Sequence, residues 1–341
     1  MTRRPGAPPP LVLTLGEPGG IGPDITIAAW LGRRELSLPP FIFTGDQALL
    51  LRRAEALGQT IATVEAEPED AATAFAEAIP CLAGAAPVTG EPGRLTAGDG
   101  PAVVASIRAS VALIAAGRAT GVVTNPIQKK ALNAIGFPYP GHTEFLGALS
   151  AELFELEVDP VMMLAGDDLR VVPLTIHIPL REVPEAISAD RLLRTGRIVA
   201  RALIEQFGIA APRIAVSGLN PHAGEEGMLG SEDAAIVAPG VATLRNEGID
   251  AVGPLPADTM FHKAARDTYD AAICMYHDQA LIPIKALAFD EAVNVTLGLP
   301  FIRTSPDHGT ALSLAGTGKA RADSLVAALR LAARMARPRD G

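Results

Sequence analysis

The chain has 341 residues, of which 48% are hydrophobic and 20% are charged, which is the composition of a globular protein of about two domains. A formal net charge of −9 and an aromatic content of only 4% argue against a basic, base-stacking surface for nucleic acid. The two cysteines, Cys81 and Cys274, cannot form a disulfide framework in so long a chain, and they favour a reducing cytoplasm as its location.

Strands and helices alternate along the chain. Short apolar runs bounded by Gly and Pro indicate strands, and longer Ala-rich or amphipathic runs indicate helices. The predicted strands are 11–15, 41–44, 121–124, 161–164, 169–174, 213–217, 271–275 and 293–297. The predicted helices are 23–33, 100–118, one beginning at Pro126, 190–207, 231–246 and 322–336. This order predicts an α/β fold with a mixed, largely parallel sheet, in which 161–174 forms an antiparallel hairpin.

The sequence favours neither a signal peptide nor a membrane-spanning segment. The proline-rich residues 1–10 lack the apolar core of a signal peptide, and we predict a flexible tail there. The most apolar segment, 102–123, is interrupted by Arg108 and Arg118, so no uncharged run is long enough to span a bilayer. We therefore expect no membrane partner and no nucleic-acid partner.

Three of the six histidines, His177, His222 and His277, come two to five residues after predicted strands. Ligands bind at the carboxyl ends of strands in open α/β sheets, and three imidazoles that meet there would hold a divalent metal with positions open for substrate. The alternative for each is a structural polar residue, which is the commoner role of a single histidine. The three lie far apart and form no H-E-x-x-H pattern, so spacing alone does not identify a site.

Anion-binding groups occur in two places. The run 141–144 predicts the start of a helix with Thr143 as its cap, and a helix N-terminus attracts anions. Lys285 and Arg303 add positive charge near predicted strand ends. The alternative is ordinary helix capping at 141–144 and surface charge at the two basic residues.

The glycine-rich turn 16–24 connects a strand to a helix, as in a dinucleotide-binding motif. Ile25 stands where the Rossmann fingerprint requires glycine, so that fingerprint is absent. The segment 316–319 also fails as a phosphate-binding loop, because Ser313 and Ala320 replace the required glycine and hydroxyl residue. Any nucleotide must therefore be bound in another way.

Two acids are candidates for chemistry. Asp278 is adjacent to His277, and a carboxylate beside a metal-ligating imidazole commonly orients it. Asp258 is either a general base or the N-cap of a helix.

Several motifs lie along the chain from residue 16 to about 320. They are Gly16-Glu17-Pro18, Thr124-Asn125-Pro126-Ile127, Gly141-His142-Thr143-Glu144, Thr175-Ile176-His177, Gly218-Leu219-Asn220-Pro221-His222, Pro256-Ala257-Asp258-Thr259, Tyr276-His277-Asp278-Gln279 and 294–305. Taken together, these motifs resemble the 4-hydroxythreonine-4-phosphate dehydrogenase family of the vitamin B6 pathway. Two small departures are Gly20, where Ala is usual, and Asp24, where Glu is common.

The resemblance implies the two-domain α/β fold of the isocitrate and isopropylmalate dehydrogenases, with a cleft between the domains. The nucleotide-side domain would comprise 11–140 plus 290–341, and the metal and dimerisation domain would comprise 141–289. It also implies a homodimer whose active sites are completed across the interface, with metal ligands from both partners.

The resemblance further implies roles for particular residues. One divalent metal (zinc, magnesium or cobalt) would be bound by His177, His222 and His277. The substrate would be bound by His142, Thr143, Lys285, Asn294 and Arg303. The adenosine side of NAD or NADP would be bound by Asp307, His308, Gly309 and Thr310. The candidates for the general base are Asp258, Asp278 and Lys285.

The activity implied is oxidation of a small phosphorylated hydroxy-amino acid. In the family, 4-phosphohydroxy-L-threonine gives 2-amino-3-oxo-4-phosphohydroxybutanoate, which decarboxylates to 3-amino-2-oxopropyl phosphate during pyridoxal phosphate biosynthesis. The alternatives are a sister dehydrogenase for a threonate or erythronate 4-phosphate or for a dihydrodiol, a metal-dependent hydrolase, and a phospholigand-binding protein without turnover.

Overall fold

The fold is described from a computed structural model, in which residues 9–337 are placed. Residues 1–8 of the predicted tail lie outside the described residues. Pro9 and Pro10 belong to the folded part, because the backbone N–H of Thr120 donates to the Pro10 carbonyl at 3.0 Å and the Thr120 hydroxyl donates to the Pro9 carbonyl at 3.4 Å. These two prolines are therefore not part of a flexible tail.

The strands form where short apolar or β-branched runs are bounded by turn residues. In chain order they are β1 (Leu11–Thr14), β2 (Phe41–Thr44), β3 (Thr63–Ala66), β4 (Ile79–Leu82), β5 (Gly121–Val123), β6 (Val161–Ala165), β7 (Arg170–Pro173), β8 (Arg213–Ser217), β9 (Asp250–Leu255), β10 (Ala271–Cys274), β11 (Val293–Leu297) and β12 (Ile302–Pro306).

The helices mostly carry good helix formers, and several begin with Pro in the first turn. In chain order they are α1 (Gly22–Leu31), α2 (Gln47–Ala56), α3 (Ala71–Ala74), α4 (Gly100–Ala115), α5 (Lys129–Asn133), α6 (His142–Phe154), α7 (Val183–Ala186), α8 (Ala189–Glu205), α9 (Ala238–Asn246), α10 (Lys263–Arg266), α11 (His277–Ala288) and α12 (Asp323–Met335).

The described residues form two compact units, 9–160 with 299–337 and 161–298. The sequence placed the domain limits at 140/141 and 289/290, whereas the breaks between the compact units fall at 160/161 and 298/299. The nucleotide, metal and dimerisation roles assigned to the two domains stay predictions.

The first unit contains strands in the order β3-β4-β2-β1-β5-β12, and the pairs within it are parallel. β1 and β2 are buried along their whole length, as expected for strands covered on both faces. Helices α4 and α12 pack against strands of this group. The parallel arrangement places the carboxyl ends of β1, β5 and β12 at one edge.

The second unit contains strands in the order β11-β6-β7-β10-β8-β9. β6 is antiparallel to both of its neighbours, and β7, β10, β8 and β9 pair in parallel. The predicted hairpin is confirmed, and the Gly166 N–H donates to the Leu169 carbonyl at 2.8 Å in its turn. The predicted α/β class with a largely parallel sheet is thus confirmed.

Two helix predictions need correction. The chain after Pro126 stays irregular, and α5 begins only at Lys129. The predicted helix 231–246 is a π-helical turn, Asp233–Val237, that continues into α9. Other predicted elements differ from the observed ones by three residues or fewer at either end, a common uncertainty at helix and strand ends.

The helical stretch Ala97–Ala115 is long and apolar enough to cross a membrane by length and composition alone. Half of it is buried inside the fold, and a helix that is apolar on most sides is also typical of a protein core. In the structure, α4 packs on β1, β2 and β5.

A buried ion pair connects the first glycine-rich turn to the rest of its unit. The side chain of Arg53 is 1% exposed and pairs with Asp24, whose side chain is 3% exposed. Arg53 also donates to the carbonyls of Gly20 at 2.8 Å and Pro18 at 3.0 Å, and Asp24 accepts from the Gly316 N–H at 2.7 Å. Because its partners are all fixed, the pair holds the turn in one conformation.

Replacement of Arg53 by Met leaves the Asp24 carboxylate buried without its counter-charge. We expect the free energy of unfolding to fall by about 3–5 kcal/mol, measured by urea denaturation of the purified protein. Arg34→Ala is the control, because Arg34 and its partner Glu77 are 74% and 82% exposed, and it should leave the unfolding midpoint nearly unchanged. Equal shifts for the two variants would contradict this account of the ion pair.

Candidate active site

The pairing of β5 with β12 buries the cationic side chain of Arg303. Arg303 is the second residue of β12 and is only 5% exposed, so it is not a surface charge. Its Nε and Nη2 atoms donate to the Thr124 hydroxyl at 3.2 and 2.7 Å. Burial lowers the pKa of Arg303 to about 10, which still leaves the guanidinium charged at neutral pH. A buried cation of this kind suits an anionic ligand.

His142 is the first residue of α6. Its Nε2 atom is buried and has no hydrogen-bond partner among the described residues. Burial, and secondarily the charge of Arg303, holds the pKa of His142 well below its usual 6.5, so the ring is neutral near pH 7. A buried polar atom without a partner is costly, and a bound ligand would satisfy it.

The predicted cap at Thr143 is wrong. The N-cap lies two residues earlier, at Gly141 in an extended conformation, and no side chain caps the helix. Thr143 therefore lies inside the first helical turn, where its N–H is one of the donors that a helix leaves without an intrahelical acceptor.

The glycine-rich turn contains an acid that sequence analysis did not single out. Glu17 is 3% exposed, and its backbone N–H donates to the Pro126 carbonyl at 2.8 Å. Burial raises the pKa of Glu17 to about 7, opposed by a bond from Gly19 N–H and assisted by the charge of Asp99. The preceding Gly16 has φ +70°, and a Cβ there would lie 2.5 Å from that of Asn125, so only glycine fits.

The predicted cofactor segment 307–310 lies against that same turn. The Ile21 N–H donates to the Thr310 carbonyl at 3.0 Å, and the bond from Gly316 to Asp24 adds a second connection. His308 Nε2 is buried without a hydrogen-bond partner among residues 9–337. The fold thus brings together two segments that are about 290 residues apart in the chain, although their role in cofactor binding stays a prediction.

In the second unit, two of the three predicted metal ligands meet. β7 and β10 are parallel neighbours, and the Thr175 hydroxyl and N–H both donate to the Met275 carbonyl, at 2.8 and 3.2 Å. This pairing aligns the residues that follow each strand, and the ring centroids of His177 and His277 are 5.6 Å apart. Nitrogen ligands bind zinc at about 2.0–2.1 Å, so both rings are close enough to reach one ion.

The orienting contact predicted for Asp278 is present. Its Oδ1 atom lies 2.7 Å from Nδ1 of His277, which leaves Nε2 of that ring available for a metal. These donors fit a divalent transition metal, for which imidazole is a suitable ligand.

His222 lies beyond the end of β8, on an exposed loop. Within residues 9–337 of one chain, no cluster of three or more His, Cys, Asp or Glu side chains has the geometry to hold a metal. A complete three-histidine site therefore stays a prediction.

Gln279 is a connecting residue that sequence analysis missed. Its Oε1 atom accepts from Ser217 Oγ and from the Met275 N–H, both at 2.7 Å, and its Nε2 donates to the Gly218 carbonyl at 2.8 Å. The amide thereby joins the carboxyl ends of β8 and β10, which carry the loop of His222 and the helix of His277. The spacing of residues in the run 276–279 did not indicate a structural role for this glutamine.

The remaining candidates lie as follows. Asp258 is exposed between β9 and α10, and it is not a helix N-cap because His262 occupies that position. Lys285 is half-buried in α11, with Nζ 5.2 Å from the ring centroid of Phe289. Asn294 is half-buried in β11. Asp258, Asp278 and Lys285 stay the three predicted bases.

The comparison with known proteins decides the family. A family model described as "Pyridoxal phosphate biosynthetic protein PdxA" matches residues 37–332. The chain is 60% identical over 335 residues to the 4-hydroxythreonine-4-phosphate dehydrogenase of Bradyrhizobium diazoefficiens, and the match covers 96% of this chain and 97% of the relative. The chain belongs to the PdxA family.

Solved structures agree with this membership. The 4-hydroxythreonine-4-phosphate dehydrogenase of Klebsiella pneumoniae superposes with a TM-score of 0.85 at 37% identity, over 96% of this chain and 100% of the other. A terephthalate 1,2-cis-dihydrodiol dehydrogenase from Burkholderia xenovorans gives a TM-score of 0.64 at 28% identity, over 96% and 98%. The family resemblance is therefore confirmed, and this PdxA family member is a dehydrogenase.

Glu17 should make stability depend on pH. Its pKa in the folded state, about 7, lies above the unfolded value near 4.5, so the folded state binds more protons in between and stability falls as pH rises through 7. We expect Glu17→Gln to gain stability relative to wild type, on the order of 2 kcal/mol, between pH 5 and pH 8. Urea denaturation at several pH values measures the free energy of unfolding of both proteins. If the two free energies change in parallel with pH, the raised pKa of Glu17 is wrong.

Proposed function

We propose that the chain oxidises 4-phosphohydroxy-L-threonine with NAD or NADP and one divalent metal ion. The product, 2-amino-3-oxo-4-phosphohydroxybutanoate, then loses carbon dioxide to give 3-amino-2-oxopropyl phosphate for pyridoxal phosphate biosynthesis. The observation that carries the proposal is the His177–His277 pair, which lies at the ends of adjacent parallel strands. The name of the Bradyrhizobium diazoefficiens relative, which matches along nearly its whole length, states the same activity.

Fixed donors support an anionic substrate. From the first unit we propose His142, Thr143 and Arg303, because Arg303 is a buried cation and His142 has a buried nitrogen without a partner. From the second unit we propose Lys285 and Asn294, both half-buried polar residues. Charge-assisted bonds from such donors are well suited to phosphate and carboxylate groups.

The histidines supply the proposed metal site. We propose His177, His222 and His277 as the ligands of a zinc, magnesium or cobalt ion, which when bound would act as a Lewis acid on the substrate hydroxyl. Asp278 holds the ring of His277 through Nδ1. Asp258, Asp278 and Lys285 are the candidates to accept the hydroxyl proton, and each has a titratable atom suited to that role.

We also propose a homodimer that completes the metal site. In the second unit Leu180, Met228 and Ile282 are 68%, 75% and 65% exposed, so these large apolar side chains are available to pack against a partner. Each lies within six residues along the chain of one of the three histidines. A second copy that covered these side chains would lie beside the proposed metal ligands, which supports shared active sites.

Asp307, His308, Gly309 and Thr310 are proposed to bind the adenosine side of the cofactor. Their contact with the glycine-rich turn through Ile21 N–H supports this, since the turn joins β1 to α1 as nucleotide-binding turns do. We place the enzyme in the cytoplasm, in keeping with its two reduced, buried cysteines.

Removal of one imidazole tests the metal assignment. We expect the metal-stripped enzyme to be inactive and to regain turnover with zinc, magnesium or cobalt, because a bound metal would lower the pKa of the substrate hydroxyl. His277→Ala should need at least about 10-fold more metal for half-maximal activity. Turnover is measured as NAD reduction. His262→Ala is the control, since this histidine is exposed and caps α10 without a side-chain bond. Wild-type turnover of His277→Ala in chelated buffer would refute the assignment.

A substrate panel tests the proposed specificity. With metal and NAD supplied, we expect 4-phosphohydroxy-L-threonine to give the highest kcat/KM, ahead of threonate and erythronate 4-phosphates and of a cis-dihydrodiol. The reason is that the buried Arg303 cation favours an anionic ligand, which a dihydrodiol without a phosphate provides less well. Arg303→Met should lower kcat/KM for phosphorylated substrates by about 10-fold or more. A higher kcat/KM for the threonate or erythronate 4-phosphate would indicate a sister dehydrogenase. Turnover without nicotinamide would indicate a hydrolase.

A further inference from the structure

The loop that carries His222 has an uncommon backbone. After β8 the chain runs through residues 222–226 with positive φ at every position, including 52° at His222 and 53° at Ala223. Only glycine adopts this region readily, and Gly224 is the single glycine among residues 222–226, after which Gly227 continues the run with φ 95°. A conformation of this kind persists only when the surroundings determine it.

One carboxylate organises that loop. Asp233 is 1% exposed, and its Oδ1 atom accepts from the Leu219 N–H at 2.7 Å. Its Oδ2 atom accepts from the N–H and the Nδ2 of Asn220, both at 3.0 Å. The oxygens therefore receive three donors from the two residues that directly precede Pro221 and His222.

The space around Asp233 is closed. A Cβ on Gly218 would lie 3.0 Å from Asp233 Oδ1, and one on Gly224 would lie 3.4 Å from Oδ2. The loop thus wraps around the carboxylate on both sides of His222. Because a carboxylate accepts at both oxygens and donates nothing, no neutral isostere can satisfy all three donors.

We propose that Asp233 is a positioning residue for His222, which fixes the direction in which this imidazole approaches the metal. The inference rests on the proposed function, because it assumes that His222 is a metal ligand. Asp233 would act through the backbone of residues 219–222 and would not contact the metal or the substrate. Groups that hydrogen-bond directly to metal ligands typically contribute about 10–100-fold to metal affinity, and we expect the lower end of that range for Asp233, which acts through the backbone.

The test is metal affinity, measured without turnover. Full-length protein is stripped of metal, and zinc binding is followed by competition with a chromophoric chelator, while the visible absorption of bound Co²⁺ reports the ligand set. We expect Asp233→Asn to weaken zinc binding by about 10-fold or more and to change the Co²⁺ spectrum. Asn220→Ala removes one of the three donors and should weaken binding by a smaller factor, which provides a milder variant if Asp233→Asn folds poorly.

The matched control is Asp99→Asn. Asp99 is 4% exposed and also accepts two backbone N–H groups, from Thr89 at 2.8 Å and Gly90 at 3.0 Å, but it belongs to the first unit. This variant should lose thermal stability as Asp233→Asn does, with zinc affinity unchanged.

The variant His222→Ala distinguishes a failure of the metal assignment from a failure of the inference about Asp233. If His222→Ala binds zinc as wild type does, the metal assignment itself fails. If His222→Ala loses zinc while Asp233→Asn and Asn220→Ala keep wild-type affinity and the wild-type Co²⁺ spectrum, the inference about Asp233 is wrong and the metal assignment stands. If Asp99→Asn weakens zinc binding as much as Asp233→Asn, the effect is one of general stability and the inference is also wrong.

Discussion

The parallel pairing of β7, β10 and β8 is the constraint on which the candidate metal site depends. Parallel neighbours end at the same edge, so residues that follow them in the chain emerge side by side. Two side chains stabilise this edge. Thr175 donates to the Met275 carbonyl at the end of β10. Gln279 accepts from the Met275 N–H and donates to the Gly218 carbonyl at the end of β8. His177 and His277 meet because of this register, although they are 100 residues apart.

Buried charge plays a comparable part in the first unit. Arg303 and the Arg53–Asp24 pair are almost completely removed from solvent, and each is compensated by hydrogen bonds to fixed groups. The two arginines nevertheless differ in their surroundings. Arg53 is surrounded by backbone carbonyls and a carboxylate, so its role is to hold the turn. Arg303 donates to the Thr124 hydroxyl and lies near enough to the neutral ring of His142 for its charge to lower the pKa of that ring.

The backbone also contributes to the geometry. Elsewhere in the chain, single residues with positive φ lie at turns, as at Glu155 after α6. The run at 222–226 is different, because consecutive residues share that conformation beside a predicted ligand. Strain at such a place is typical of functional loops and needs neighbouring groups to maintain it, which Asp233 supplies through its bonds to Leu219 and Asn220.

Much of the fold followed from local pattern. The apolar runs at 41–44, 213–217 and 293–297 are strands with the predicted limits, since short runs bounded by turn residues have few other ways to bury themselves. Helix starts were less certain. Thr143 has the residue type of a cap, but Gly141 takes the position, because backbone conformation and not residue type decides where a helix begins.

The sequence by itself determined the fold class, the family and the candidate residues, because these depend on local periodicity and on motifs that are contiguous in the chain. Tertiary structure alone decided which of those residues are buried and which meet. The buried state of Arg303, the raised pKa of Glu17 and the bonds made by Gln279 and Asp233 all depend on groups that lie between 2 and 179 residues away. Desolvation and hydrogen-bond geometry act through space, and no spacing along one chain encodes them.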